Sequence, residues 1–74
     1  MATSTKVYLA SSAIDMRKSY DTLAMVVEHT LHLSPLSGQV FVFYNKRRDR
    51  LKILYWDGNG LCLWQKRLEQ GTFV

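Results

Sequence analysis

"QVFVFYNKRRDRLKILYWDGNGLCLWQKRL", residues 39–68, is the stretch on which the fold turns. Residues 39–45, 51–56 and 61–68 are runs rich in β-branched and aromatic side chains, and they read as three strands. "DGNG", 57–60, separates the second run from the third. Gly and Asn tolerate the positive φ angles of a tight turn, so this is a strong hairpin signal. Gly58-Asn59 and Asn59-Gly60 both remain open as its centre. The first two runs are joined by a short basic segment, which makes the three an antiparallel meander with that segment at a hairpin tip.

Upstream, the period changes. Met16, Tyr20, Leu23, Ala24, Val27 and Leu31 recur at the spacing of one helical face, which predicts an α-helix over about 15–32. Ser12 and Asp15 match an S-x-x-D start pattern, and Asp15 can itself serve as the N-cap. Pro35 cannot continue the helix and biases Ser34 away from helical angles, and Gly38 marks a turn. "VYLAS", 7–11, is a further short strand, expected to pair with the meander or with a partner chain. Residues 1–5 are expected to be disordered. The chain thus reads as one domain spanning 1–74. Its class is α+β in the order β-α-β-β-β, with one helix on a three-stranded meander and no internal repeat or linker.

Charge is distributed unevenly. Ten Lys and Arg against six Asp and Glu leave a net charge of +4. Lys46, Arg47, Arg48, Arg50 and Lys52, less Asp49, account for all of it, because the other five cations balance the other five anions. A solvated turn is the ordinary reading of surface Lys and Arg. Five cations in seven residues is denser than solubility requires, and phosphate contact explains it better. Lys66 and Arg67 add to this set. So do Arg17 and Lys18, whose position in the first helical turn would oppose the helix dipole unless Asp15 and Asp21 pair with them or an anion binds there.

Length and composition bound the rest. A chain of 74 residues buries only about 60% of its unfolded surface. A core this small seldom supplies more than ~3–5 kcal/mol without a disulfide, a metal or a partner subunit. The single cysteine, Cys62, excludes an internal disulfide and fits a reducing compartment. No apolar run approaches the roughly 20 residues that span a bilayer. The N-terminus shows no signal-peptide pattern. The expectation is a soluble, cytoplasmic protein without membrane contact. Strand 51–56 carries Leu51, Ile53 and Tyr55 on one face and Leu54 and Trp56 on the other. One helix covers one face only, so a homodimer or higher oligomer is expected.

Catalytic readings are weak. His29 and His32 lack a second ligand pair at zinc-site spacing and read as surface residues. Cys62 reads as a buried, inert thiol. Asp15, Asp49 and Asp57 each have a capping or turn role, which argues against a two-metal nuclease. Tyr44, Tyr55, Trp56 and Trp64 could stack bases, but in a domain this small they read first as core. No metal, cofactor or catalytic residue is assigned.

Several segments together resemble one family. "DMRK", "SG-x-x-FVF", "KILYWDG-x-G" and "KRLE-x-G-x-F", within about residues 14–73, are similar to the TnpB-type accessory proteins of the IS sixty-six group of bacterial insertion sequences. Members usually continue past the final Phe-containing segment, whereas this chain ends at Val74. The resemblance implies a role in transposition beside a separate transposase, with no established catalytic residues. Two classes of function follow as expectations. One is an accessory protein that binds nucleic acid, DNA in this context, through residues 46–52 aided by Arg17, Lys18, Lys66 and Arg67. The other is an adaptor that docks the transposase or another element-encoded protein through an apolar sheet face.

Overall fold

The computed structural model describes residues 5–73. The disorder expected for 1–5 falls, Thr5 apart, outside the described residues. Five elements follow in chain order: β1 (Val7–Leu9), α1 (Tyr20–Thr30), β2 (Val40–Tyr44), β3 (Arg50–Trp56) and β4 (Leu61–Arg67). They build an α+β domain with one four-stranded sheet in the order β1-β2-β3-β4. β2, β3 and β4 form the expected antiparallel meander, with Val42 opposite Ile53 and Ile53 opposite Trp64.

The short N-terminal strand joins this sheet. β1 lies parallel to β2, with Val7, Tyr8 and Leu9 opposite Val40, Phe41 and Val42. Parallel neighbours need a long crossover, and here α1 lies within it. Beyond Leu9 the chain still follows β2: Ala10 N–H donates to Val42 O and Ile14 N–H to Tyr44 O, both at 2.9 Å.

The helix starts later than its apolar spacing suggests. Asp15 is not its N-cap. Its carboxylate instead accepts the Arg17 backbone N–H at 2.9 Å, and Lys18 N–H closes a turn onto Asp15 O. The helix opens at Tyr20 with Ser19 in the N-cap position, in extended geometry and without a side-chain capping bond. Met16 therefore lies outside the helix, and the predicted stripe is realised through Leu23 and Val27, both fully buried. At the other end His32 takes a positive φ of 56°. Ser34, buried Pro35 and Gly38 (φ 86°) then turn the chain into β2.

The alternation of strand residues divides the sheet into two faces. Phe41 and Phe43 of β2 and Leu54 of β3 point to the helix side, where they meet Leu23 and Val27 in a five-residue core. Tyr8 stacks on Phe41 with ring centroids 5.5 Å apart. The aromatic residues expected in the core are not its centre. Tyr44, Tyr55 and Trp56 are half-buried and Trp64 is 48% exposed; strand alternation puts Tyr44, Tyr55 and Trp64 on the face away from the helix. Among the described residues no helix or strand lies over the other face. Across it runs the row Leu9, Val42, Ile53 and Trp64, set side by side by the pairing register.

The β3–β4 hairpin settles the open question about its turn. Trp56 pairs with Leu61, and Asp57 N–H donates to Gly60 O, which brackets Gly58 and Asn59 as the centre. Gly58 has a φ of 109°, a conformation that a side chain disfavours. The Asp57 carboxylate accepts the N–H groups of Asn59 and Gly60, both at 3.1 Å, and these bonds with the Cys62 thiol hold it below the usual range.

Candidate nucleic-acid interface

The segment joining β2 to β3 is built from within by one side chain. Asn45 Oδ1 accepts the backbone N–H groups of Asp49 (3.0 Å) and Arg50 (2.9 Å), while Nδ2 donates to Asp49 Oδ1 at 2.6 Å. The bond from Asn45, together with the nearby charges of Arg47 and Arg50, keeps the Asp49 carboxyl below its ordinary range. Arg48 adopts a φ of 59°, and its N–H returns to Asn45 O at 3.0 Å. The chain end closes the underside, with Leu68 N–H donating to Asp49 O and Phe73 N–H to Arg48 O, both at 2.7 Å. Lys46, Arg47 and Arg48 are consequently exposed on a loop whose backbone is tied on both sides.

The register adds the rest. Arg50 is directly opposite Arg67, and Leu51 is opposite Lys66, so the last residues of β4 lie beside the basic loop. An open depression of about 260 Å³ lies there, lined by Met16, Arg50, Leu51, Gln65, Lys66 and Arg67. Met16 brings the turn that carries Arg17 and Lys18 to the same end. Eight of the nine sequence-predicted cations therefore gather at one end of the sheet. Among the described residues two of these carry an ion pair. Arg17 clasps Asp15, with Nη2 2.6 Å from Oδ2, and Arg67 meets Glu69 at 3.1 Å. The Arg17 guanidinium holds the Asp15 carboxyl well below the usual carboxylate range, and its own charge is largely answered in return. Arg17 and Lys18 lie just before the N-cap Ser19 and not in the first helical turn, and the Asp15 carboxylate answers the charge of Arg17 there.

Lys52 is the exception and a correction. It is 7% exposed, and its Nζ donates to Lys18 O at 2.6 Å. It belongs to β3 on the same face as Leu54, and it holds the Asp15–Lys18 turn against the sheet. The signal was present in the sequence, since Lys52 shares the strand parity of Leu54 and Trp56. Asn45 was missed because its part depends on hydrogen bonds that no spacing rule announces.

Other candidates stay away from this end. His29 and His32 are exposed, as expected. Cys62 is half-buried, and its thiol donates to Asp57 Oδ2 at 3.3 Å. That contact pushes the thiol pKa up, which slows its reaction as a nucleophile without closing it off, and the side chain is less buried than its strand position suggested. Among the described residues no three His, Cys, Asp or Glu side chains converge as a metal site, and no helix is long and apolar enough to cross a membrane.

The geometry is that of an α+β domain with a cation-rich end and an apolar sheet face opposite its helix. The model of the IS66 Orf2 like protein family matches residues 5–74, and the chain belongs to that family. It is 42% identical over 69 residues to the uncharacterized protein y4hO of Sinorhizobium fredii (strain NBRC 101917 / NGR234), covering 93% of this chain and 60% of that protein. The uncharacterized protein y4jC of the same organism is 39% identical over 69 residues, covering 93% of this chain and 59% of that one. The chain thus spans about three fifths of the length of these relatives. No solved structure matches.

Proposed function

We propose that the chain is a cytoplasmic, non-catalytic accessory protein of transposition that binds DNA through phosphate contacts at the basic end of its sheet. The observation that carries the reading is the register that sets Arg67 opposite Arg50 and Lys66 opposite Leu51, at the end of the sheet where the loop carries Lys46, Arg47 and Arg48. Cations from two hairpin strands and their loop then gather at one end of the sheet, with Arg50 and Arg67 on its helix side and Lys66 on the other. A loop tied from below by Asn45 loses little entropy on meeting a phosphate backbone, which favours binding over a mobile arm.

Each phosphate contact releases condensed counterions, so log affinity falls with log salt by about 0.9 per contact on duplex DNA. Replacing Arg47, Arg48 and Arg50 together with Ala is expected to weaken binding to all sequences alike. If all three touch phosphate, the salt dependence flattens by up to about 2.7. Filter binding or gel shift on element-end DNA across a salt series reads this directly. Wild-type affinity and slope in the triple variant would reduce the loop to a solvated turn.

The uncovered apolar face favours a second reading, an adaptor that docks the transposase without touching DNA. Under it, wild-type protein shows no salt-dependent DNA binding and retains the transposase through substitutions at the basic end.

A further inference from the structure

The sheet face opposite α1 combines three features. It is apolar, it is nearly uncharged, and it is bare. Val7 is 67% exposed, Leu9 65% and Trp64 48%, while Val42 and Ile53 between them are half-buried only by their neighbours in the row. Exposed contiguous apolar patches beyond a few hundred Å² are rare on soluble monomers and mark interaction sites. From this we infer that a second copy of the chain docks here, sheet against sheet.

Area, charge and shape each favour a copy over another occupant. Four strands at about 4.8 Å spacing, of the observed lengths, give a projected footprint of roughly 350 Å² per copy. Side-chain relief enlarges the accessible area, so a pair buries on the order of 1,000 Å², the threshold for a specific interface. The middle of this face carries no charge among the described residues; Lys66, opposite Leu51, and Arg48, beside Leu9 and Tyr44, border it at the basic end, and the Asp57 carboxylate reaches Cys62 at the other. The uncharged centre, Leu9, Val42, Ile53 and Trp64, meets its own copy without like-charge repulsion and offers a foreign partner no charged handle for selection. Two sheets of identical twist also pack well, aligned at about −30° and about 10 Å apart. Repulsion between the two basic ends favours strands that run in opposite directions, which puts one basic end at each pole of the dimer.

Sedimentation of the chain at tens of micromolar is expected to show a species of twice its 8.6 kDa mass. Trp64→Glu and Leu9→Glu, both at well exposed positions, should each weaken the dimer more than tenfold with the far-UV spectrum intact. Met25→Glu, at an exposed helix position (56%) on the opposite side, should leave it unchanged. Cys62 shares the open face through its pairing with Tyr55. Its labelling by a thiol reagent in the wild-type protein should therefore slow as concentration rises through the dimer dissociation constant, a readout that needs no substitution. A chain that stays monomeric at 100 μM, whose face then serves a different protein, would overturn the inference. So would a dimer disrupted by Met25→Glu, or one whose Cys62 labels at a concentration-independent rate.

Discussion

At the scale of single residues, Lys52 shows how strongly context decides what a cation does. Four of the five basic residues of segment 46–52 face solvent, and the fifth is buried with its Nζ on Lys18 O. Lys52→Ala removes that bond and leaves the Lys18 carbonyl without its partner, at an expected cost of about 1–3 kcal/mol in urea unfolding. Lys52→Met keeps the apolar stem and should recover part of the loss. The same variant should leave the salt dependence of DNA binding untouched, in contrast to the loop arginines. A flattened slope in Lys52→Met would return this residue to the interface. The period-2 pattern carried its placement, because it shares parity with Leu54, but charge density drew it into the wrong group.

At the scale of elements, the two hairpin loops are held by side chains that act as backbone partners. Asn45 makes three hydrogen bonds within the β2–β3 loop, so Asn45→Ala should destabilise the fold by about 1–2 kcal/mol and raise hydrogen exchange at Asp49 and Arg50. Asp49 and Asp57 both sit below their ordinary pKa through hydrogen bonds made only in the folded chain. A depressed carboxylate contributes stability that is complete above its unfolded value, about 3.9, and is lost as pH falls through the folded value. Urea midpoints are therefore expected to be flat from pH 7 to 5 and to decline below pH 4, with a shallower decline in Asp49→Asn. The helix was legible as an element from its stripe, and its N-terminus was not. Asp15 had two possible uses, capping and a clasp with Arg17, and local sequence does not rank them.

At the scale of the whole molecule, the domain rests on a small core. Leu23, Val27, Phe41, Phe43 and Leu54 are its only buried hydrophobic residues among those described. Phe41→Ala costs about 3–5 kcal/mol by loss of transfer energy and cavity formation. That equals the roughly 3–5 kcal/mol a core of this size supplies, so the variant should be largely unfolded at 25 °C by circular dichroism. A cooperative, folded Phe41→Ala protein would mean that stability comes chiefly from elsewhere, with the open sheet face as the first place to look.

The α+β class, the meander and the basic hairpin tip were all determined by the sequence alone, because each rests on local signals: side-chain period, turn chemistry and charge spacing. The gathering of Lys66, Arg67 and the Met16–Lys18 turn around that tip was decided only in three dimensions. It depends on strand register and on the buried Lys52 contact, which join residues up to 34 positions apart. The same holds for the bare face. Alternation along β3 announced two apolar faces, but a single helix can lie on either, and packing of Leu23 and Val27 against Phe41, Phe43 and Leu54 chose the one it covers. Short-range preferences specify which elements form. Which of their surfaces meet is a competition among packings, and only the assembled core resolves it.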